Sequence, residues 1–151
     1  MLHARDRFTP GELILLHNVD VICDADLRAL CAAHEAAGAL ATLAVQARET
    51  QRHLLFDDDG LFGREDLRRG DRQEARPPRG EVRRLAFAGI HVCAARLPGL
   101  ITERGVFPIV AVWLRLAAQG HTIAPWLVPE GAWHEIGNPE RLAAARSRYG
   151  G

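Results

Sequence analysis

The densest apolar run near the start of the chain, Leu13 to Leu16, ends in a polar cluster of His17, Asn18 and Asp20. A run of this length reads as a strand at about 12–19, buried on both faces as in a sheet covered by helices. Pro10 and Gly11 mark the turn before it. From Asp24 the period changes, and Leu27, Leu30, Cys31 and His34 recur at helical spacing. Asp24 suits the N-cap of that helix, Asp26 complements its dipole, and Gly38 suits its C-cap. Ala39 to Ala47 is expected to be the next strand.

Two short apolar runs, His53–Phe56 and Leu61–Phe62, flank Asp57-Asp58-Asp59-Gly60 and predict a hairpin over 53–65. The triple aspartate lacks the ligand spacing of an EF-hand, whereas Asp-Gly is a strong turn signal, so a turn is preferred to a calcium loop. Residues 64–80, rich in Arg, Asp and Gly and containing Pro77-Pro78, read as a solvated surface excursion. Val82 to Cys93 predicts a long strand, 95–101 a short helix or turn, and Phe107 to Gln119 an amphipathic helix stopped by Gly120. Thr122 to Val128 and Ala132 to Ile136 read as short strands around Pro129-Glu130-Gly131. A last helix begins at Asn138 as N-cap with Pro139 in its first position. Strands alternating with helices define an α/β chain with a mixed, mainly parallel sheet, and no internal repeat is visible.

Composition narrows the partners. A chain of 151 residues is expected to form a single domain over 1–151, and 48% hydrophobic with 25% charged residues is ordinary for a globular protein. Formal net charge is zero, so nothing global points to nucleic acid or to an acidic membrane surface. All 19 basic residues are Arg. No lysine ammonium is therefore available for phosphate binding, Schiff-base formation or general-base work. Cys23, Cys31 and Cys93 show no paired spacing, the Met1 end has no signal-peptide core, and no apolar run approaches the roughly 20 residues of a bilayer span. A cytoplasmic protein is expected.

The chemistry gathers at strand ends. In sheets under helices, ligands bind beyond the carboxyl ends of the strands, where Asn18 and Asp20 fall. Three blocks, in order, add to this: LILLHNVD with its DADL helix start, LAFAGIHV, and TERGVFPIV followed by GAWHEIGNPERL. Together they resemble the sugar-1-phosphate nucleotidyltransferase family, which includes mannose-1-phosphate guanylyltransferases and N-acetylmuramate-1-phosphate uridylyltransferases. The resemblance runs from about Leu2 to Tyr149. It implies a three-layer, Rossmann-like α/β/α fold and the reaction NTP + sugar 1-phosphate to NDP-sugar + pyrophosphate, with Mg²⁺. By position it assigns the metal carboxylates to Asp20 and Glu135. Asn18, Phe87, Gly89, Ile90 and Trp133 fall along the substrate side. A hard cation held by one or two carboxylates plus substrate oxygens fits this chemistry.

The departures are equally specific. The family's G-x-G-T-R loop and P-K pair, which cradle the triphosphate, have no match here, so the chain is expected to represent the C-terminal part of the catalytic unit, inactive alone. Val19 stands where the family has a small residue, and Glu135 is one methylene longer than the usual Asp. Two alternatives remain open: a non-catalytic subunit that binds sugar phosphate, and a metal-dependent glycosyltransferase built on Asp24-Ala25-Asp26. Helix capping explains that last pair without metal. His17, His91 and His134 share no metal spacing, and Cys23 has no evident base. Because the strand at 12–19 would pair with the absent part, one of its edges is expected to be bare, covered by residues 1–10, or paired in a homodimer or with a partner chain.

Overall fold

The computed structural model describes residues 7–149. A mixed sheet forms the middle layer, with helices on both faces. Its spine is a long strand, β7 (Arg83–Ala94), and the other strands are β1 (Leu13–His17), β3 (Ala41–Gln46), β4 (Arg52–Asp57), β5 (Gly60–Asp66), β6 (Asp71–Glu74) and β8 (Ile123–Leu127). The order is β6-β5-β4-β7-β3-β8, and β1 pairs with the later part of β7. A small separate ribbon joins β2 (Val21–Cys23) to β9 (Trp133–Glu135). The helices are α1 (Leu27–Ala37), α2 (Leu97–Leu100), α3 (Ile109–Ala118) and α4 (Pro139–Tyr149).

The α/β class and the mixed sheet are as the sequence implied. The balance of directions is not: among the described strands the parallel pairing is β3–β8, and β7 runs antiparallel to β1, β3 and β4. Hairpin-connected strands dominate because the stretch read as a surface excursion is structured. β5 continues to Asp66, and β6 returns along it, pairing Glu65 with Arg72. Charged residues mask that strand in the sequence, since both faces of β6 are largely solvated.

Each face of β7 feeds one half of the core. Leu85 and Cys93 pack with Leu43, Trp113 and Leu116 beneath α3. Ala88, Ile90 and Val92 pack with Val21 and Leu30 beneath α1. Trp113 is fully buried, and truncating it to Ala would cost about 3–5 kcal/mol. The Asp57–Gly60 turn is observed between β4 and β5, and the carboxylate of Asp57 receives both Arg76 nitrogens at 2.7 Å. That ion pair clamps the 75–82 segment onto the hairpin.

Two local expectations change. Asp26, not Asp24, caps α1, accepting from the Arg28 main-chain N–H at 2.9 Å, while Gly38 closes the helix in the left-handed conformation. β1 is not buried on both faces: Ile14 is buried, but Leu15 is 44% exposed. Among the described residues β1 pairs with β7 alone, so its outer edge meets no other described strand.

Candidate functional site

The two carboxylates singled out in the sequence come together. Asp20 lies immediately before β2, and Glu135 ends β9; antiparallel pairing sets Val21 opposite Glu135. The Ile136 N–H donates to the Asp20 carbonyl at 2.8 Å, tying the strand ends directly. Both side chains then face Gly137. A methyl group placed there would lie 3.5 Å from Asp20 Oδ2 and 3.6 Å from Glu135 Oε1. The glycine thus leaves a notch flanked by two carboxylate oxygens. Glu135 also accepts from Arg141 of α4, so its charge has a partner in this state.

An irregularity in β7 supports both halves of the pair. Between Leu43 and Val45, two steps of β3 are matched by four steps of β7, from His91 to Phe87. The residues between bulge outward, with Gly89 at φ +78°. Their carbonyls are thereby freed from the ladder. Ala88 O accepts from Trp133 Nε1 at 2.7 Å, and Gly89 O accepts from Asn18 N–H at 2.9 Å. One bulge holds the Asn18–Asp20 turn and the strand that carries Glu135.

The remaining sequence-assigned positions divide. Phe87 is half-buried, lines a cleft of about 570 Å³, and packs edge-on against Trp113. Trp133 borders a second cleft of about 490 Å³ that contains Glu135 and Arg141. Ile90 is fully buried on the α1 side, where it packs the strand from behind and reaches neither cleft. Asn18 is exposed and lies against Gly89, its amide nitrogen 3.0 Å from where a methyl group on Gly89 would sit. Val19 is almost wholly exposed at 97%, pointing away from the packed structure.

The larger cleft escaped sequence reading. It lies between β4, β5, β7 and the start of α3, and Arg48, Arg52, His53 and Arg64 join Phe87 in lining it. Its volume is in the range of small-molecule sites, and its lining mixes apolar residues, among them Phe87 and Leu54, with charged and polar ones. Arg52 pairs with Asp66, and Arg64 with Asp71, so much of its charge is locally balanced. No spacing signals this arrangement, because the residues come from three strands and a loop.

The other acidic motif is engaged elsewhere. Asp26 caps α1, and Asp24 accepts from the Tyr149 hydroxyl at 2.5 Å, as expected of structural rather than metal-binding carboxylates. Among the described residues, no group of three or more His, Cys, Asp or Glu side chains is placed to hold a metal. Burial pushes the Cys93 thiol up to about 12, which leaves it unreactive. No described helix is long and apolar enough to cross a membrane.

A bulged central strand thus holds two converging carboxylates, and an arginine-bordered cleft lies on the same α/β framework. No family model matches the chain. Over 69 residues, 46% of this chain and 27% of the relative, it is 33% identical to the N-acetylmuramate alpha-1-phosphate uridylyltransferase of Caulobacter vibrioides. Among solved structures, UTP-bound UGPase from Acinetobacter baumannii superposes with a TM-score of 0.74 at 15% identity, covering 99% of this chain and 54% of that one. HddC from Yersinia pseudotuberculosis gives 0.62 at 11% identity, covering 98% and 60%. Part of the sequence is thus similar to a sugar-1-phosphate nucleotidyltransferase, and the fold is similar to that of UGPase and HddC. It spans little more than half the length of these solved relatives, and the stretch shared with the curated one is about a quarter of that protein.

Proposed function

We propose that this chain carries the sugar-phosphate side of a nucleotidyltransferase site, for the reaction NTP + sugar 1-phosphate to NDP-sugar + pyrophosphate. The observation that supports it most is the convergence of Asp20 and Glu135 on the notch at Gly137. In this reaction a phosphate oxygen of the sugar 1-phosphate attacks the α-phosphorus of the NTP. The bond to the β-phosphate oxygen breaks, and pyrophosphate leaves with the electron pair.

The donor set fits Mg²⁺: two hard carboxylate oxygens flank one open notch, and substrate oxygens and water complete such a shell. When bound, the ion offsets phosphate charge during transfer. Asp20 and Glu135 would hold it through the oxygens that face Gly137, Oδ2 and Oε1, while Arg141 bonds the other Glu135 oxygen, Oε2. Phe87 offers an apolar face to the sugar ring, and Trp133, fixed through Ala88 O, walls the phosphate end. Gly89 and Asn18 set the height of the Asp20 turn. The uridylyltransferase likeness makes a 1-phosphorylated amino sugar the first substrate to try.

No G-x-G-T-R stretch occurs within 1–151, so the chain alone is expected to bind sugar phosphate without turning it over. The Glu135–Arg141 ion pair favours a second reading, a non-catalytic sugar-phosphate-binding subunit, because it satisfies Glu135 without metal. Calorimetric titration of Mg²⁺ and N-acetylmuramate 1-phosphate or mannose 1-phosphate tests the shared core. Binding by wild type, lost in Asp20→Ala only when Mg²⁺ is required, supports the transferase reading. Mg²⁺-independent binding supports the subunit reading. Identical null traces overturn both. A pyrophosphate-release assay with each NTP adds the activity test, and turnover by this chain would show that it is catalytically complete.

A further inference from the structure

Of the residues lining the two clefts, Arg48 is the one they share. It follows β3 on an exposed segment, and its guanidinium carbon sits 4.8 Å from the centre of the Trp133 ring. Its Nε donates to Gln46 Oε1 at 3.1 Å. Among the described residues it forms no ion pair, in contrast to Arg52 with Asp66, Arg64 with Asp71 and Arg141 with Glu135. Its two terminal nitrogens therefore carry donors that no described protein acceptor takes up.

The surroundings make this cation unusually well placed. Trp133 is itself anchored by its 2.7 Å hydrogen bond to Ala88 O. Stacking on a fixed ring holds the planar guanidinium ready, which lowers the entropy lost when it grips an anion. On the same wall stands Glu135, one of the two carboxylates. A phosphate brought beside two carboxylates is repelled unless a cation stands nearby. The chain has no lysine, so beside any Mg²⁺ held by the carboxylates the side-chain cation that fits this role is an arginine.

We propose that Arg48 is a phosphate-binding residue of this site, gripping the phosphate of the sugar 1-phosphate at the junction between the large cleft and the second cleft, which holds Glu135. This rests on the reading of the site given above. The sugar lies on the Phe87 side and its phosphate faces Asp20 and Glu135, so Arg48 sets which end of the ligand meets the carboxylates. Arg48 takes its place on the phosphate from Trp133, which a lysine could not stack against in the same planar, forked way.

Calorimetry in Mg²⁺ with wild type, Arg48→Gln and Arg48→Lys tests this, using N-acetylmuramate 1-phosphate and unphosphorylated N-acetylmuramate. Arg48→Gln is expected to weaken the phosphorylated sugar roughly ten- to hundredfold while leaving the unphosphorylated sugar unchanged. Arg48→Lys is expected to recover part of the loss. An unchanged affinity of Arg48→Gln for the sugar phosphate overturns the proposal, and so does equal weakening of both sugars, which would mean that Arg48 only shapes the cleft. If wild type binds no sugar phosphate, the functional reading itself fails; if wild type binds and Arg48→Gln matches it, only the role of Arg48 fails.

Discussion

The main-chain N–H of Asn18 donates to the carbonyl of Gly89 at 2.9 Å, joining the turn that carries Asp20 to the bulge of the central strand. Gly89 can offer that carbonyl because it adopts φ +78°, and because it has no Cβ to strike the Asn18 side chain. Gly89→Ala forces both problems at once, with contacts of 3.0–3.2 Å to Asn18 and a left-handed backbone. A loss of about 1–3 kcal/mol is expected, lowering Tm by roughly 2–12 °C. Thermal unfolding checks the stability. Titration with Mn²⁺ checks the site, where weaker binding than wild type is expected because the Asp20 turn shifts.

His91 is buried beside Phe87 and Trp113, and among the described residues neither of its ring nitrogens has a partner. Burial pushes its pKa down from 6.5 to about 4. The folded state holds it neutral where the unfolded chain would protonate, so its stability contribution is complete above pH 6.5 and is lost as pH falls toward 4. His91→Leu removes this dependence and two unsatisfied polar atoms. Denaturant unfolding at pH 7 and pH 5 should show a smaller drop for the variant than for wild type.

Asp57 is buried, and burial alone would raise its pKa. The Arg76 guanidinium and the N–H groups of Arg79 and Asp59 outweigh that and hold it below the usual carboxylate range. Its stabilisation is therefore present above the ordinary aspartate pKa and lost as pH falls below it. Arg76→Ala strands a carboxylate whose side chain is 0% exposed, at an expected cost of about 3–5 kcal/mol. Arg76→Ala combined with Asp57→Ala should be less damaging than Arg76→Ala alone. Urea denaturation of the three variants measures this, and equal losses would mean the ion pair carries little.

β1 meets no second strand among the described residues, and Leu15 lies exposed on it. Unpaired edges recruit other strands, so concentration-dependent association is expected, as a homodimer or with a partner chain. Leu15→Lys should weaken it. Sedimentation velocity over a tenfold range of concentration would show this, and a monomer throughout would count against it.

Some of this was legible in the sequence because it depends on local chemistry. The Asp-Gly turn after Phe56, the Asn138–Pro139 helix start and the helical period over α3 depend on neighbours a few residues apart. The pairing of Asp20 with Glu135 came from resemblance, since the 114 positions of intervening chain carry no spacing signal. Their meeting depends on β2 pairing with β9, and two three-residue strands are too short to show any period. The same limit hid β6, whose charged residues suggested solvent rather than a ladder.

By itself, then, the sequence determined the α/β class, most strand and helix positions, the lysine-free chemistry and the acidic residues available to a metal. Tertiary structure decided which of those acids lie side by side. It assigned Asp24 and Asp26 to Tyr149 and the α1 cap, brought Asp20 and Glu135 to one glycine, and placed Arg48 between two clefts. The physical reason is range: capping and turn formation act within a few residues, whereas a site is set by strand pairing and by a bulge that frees its carbonyls for distant partners.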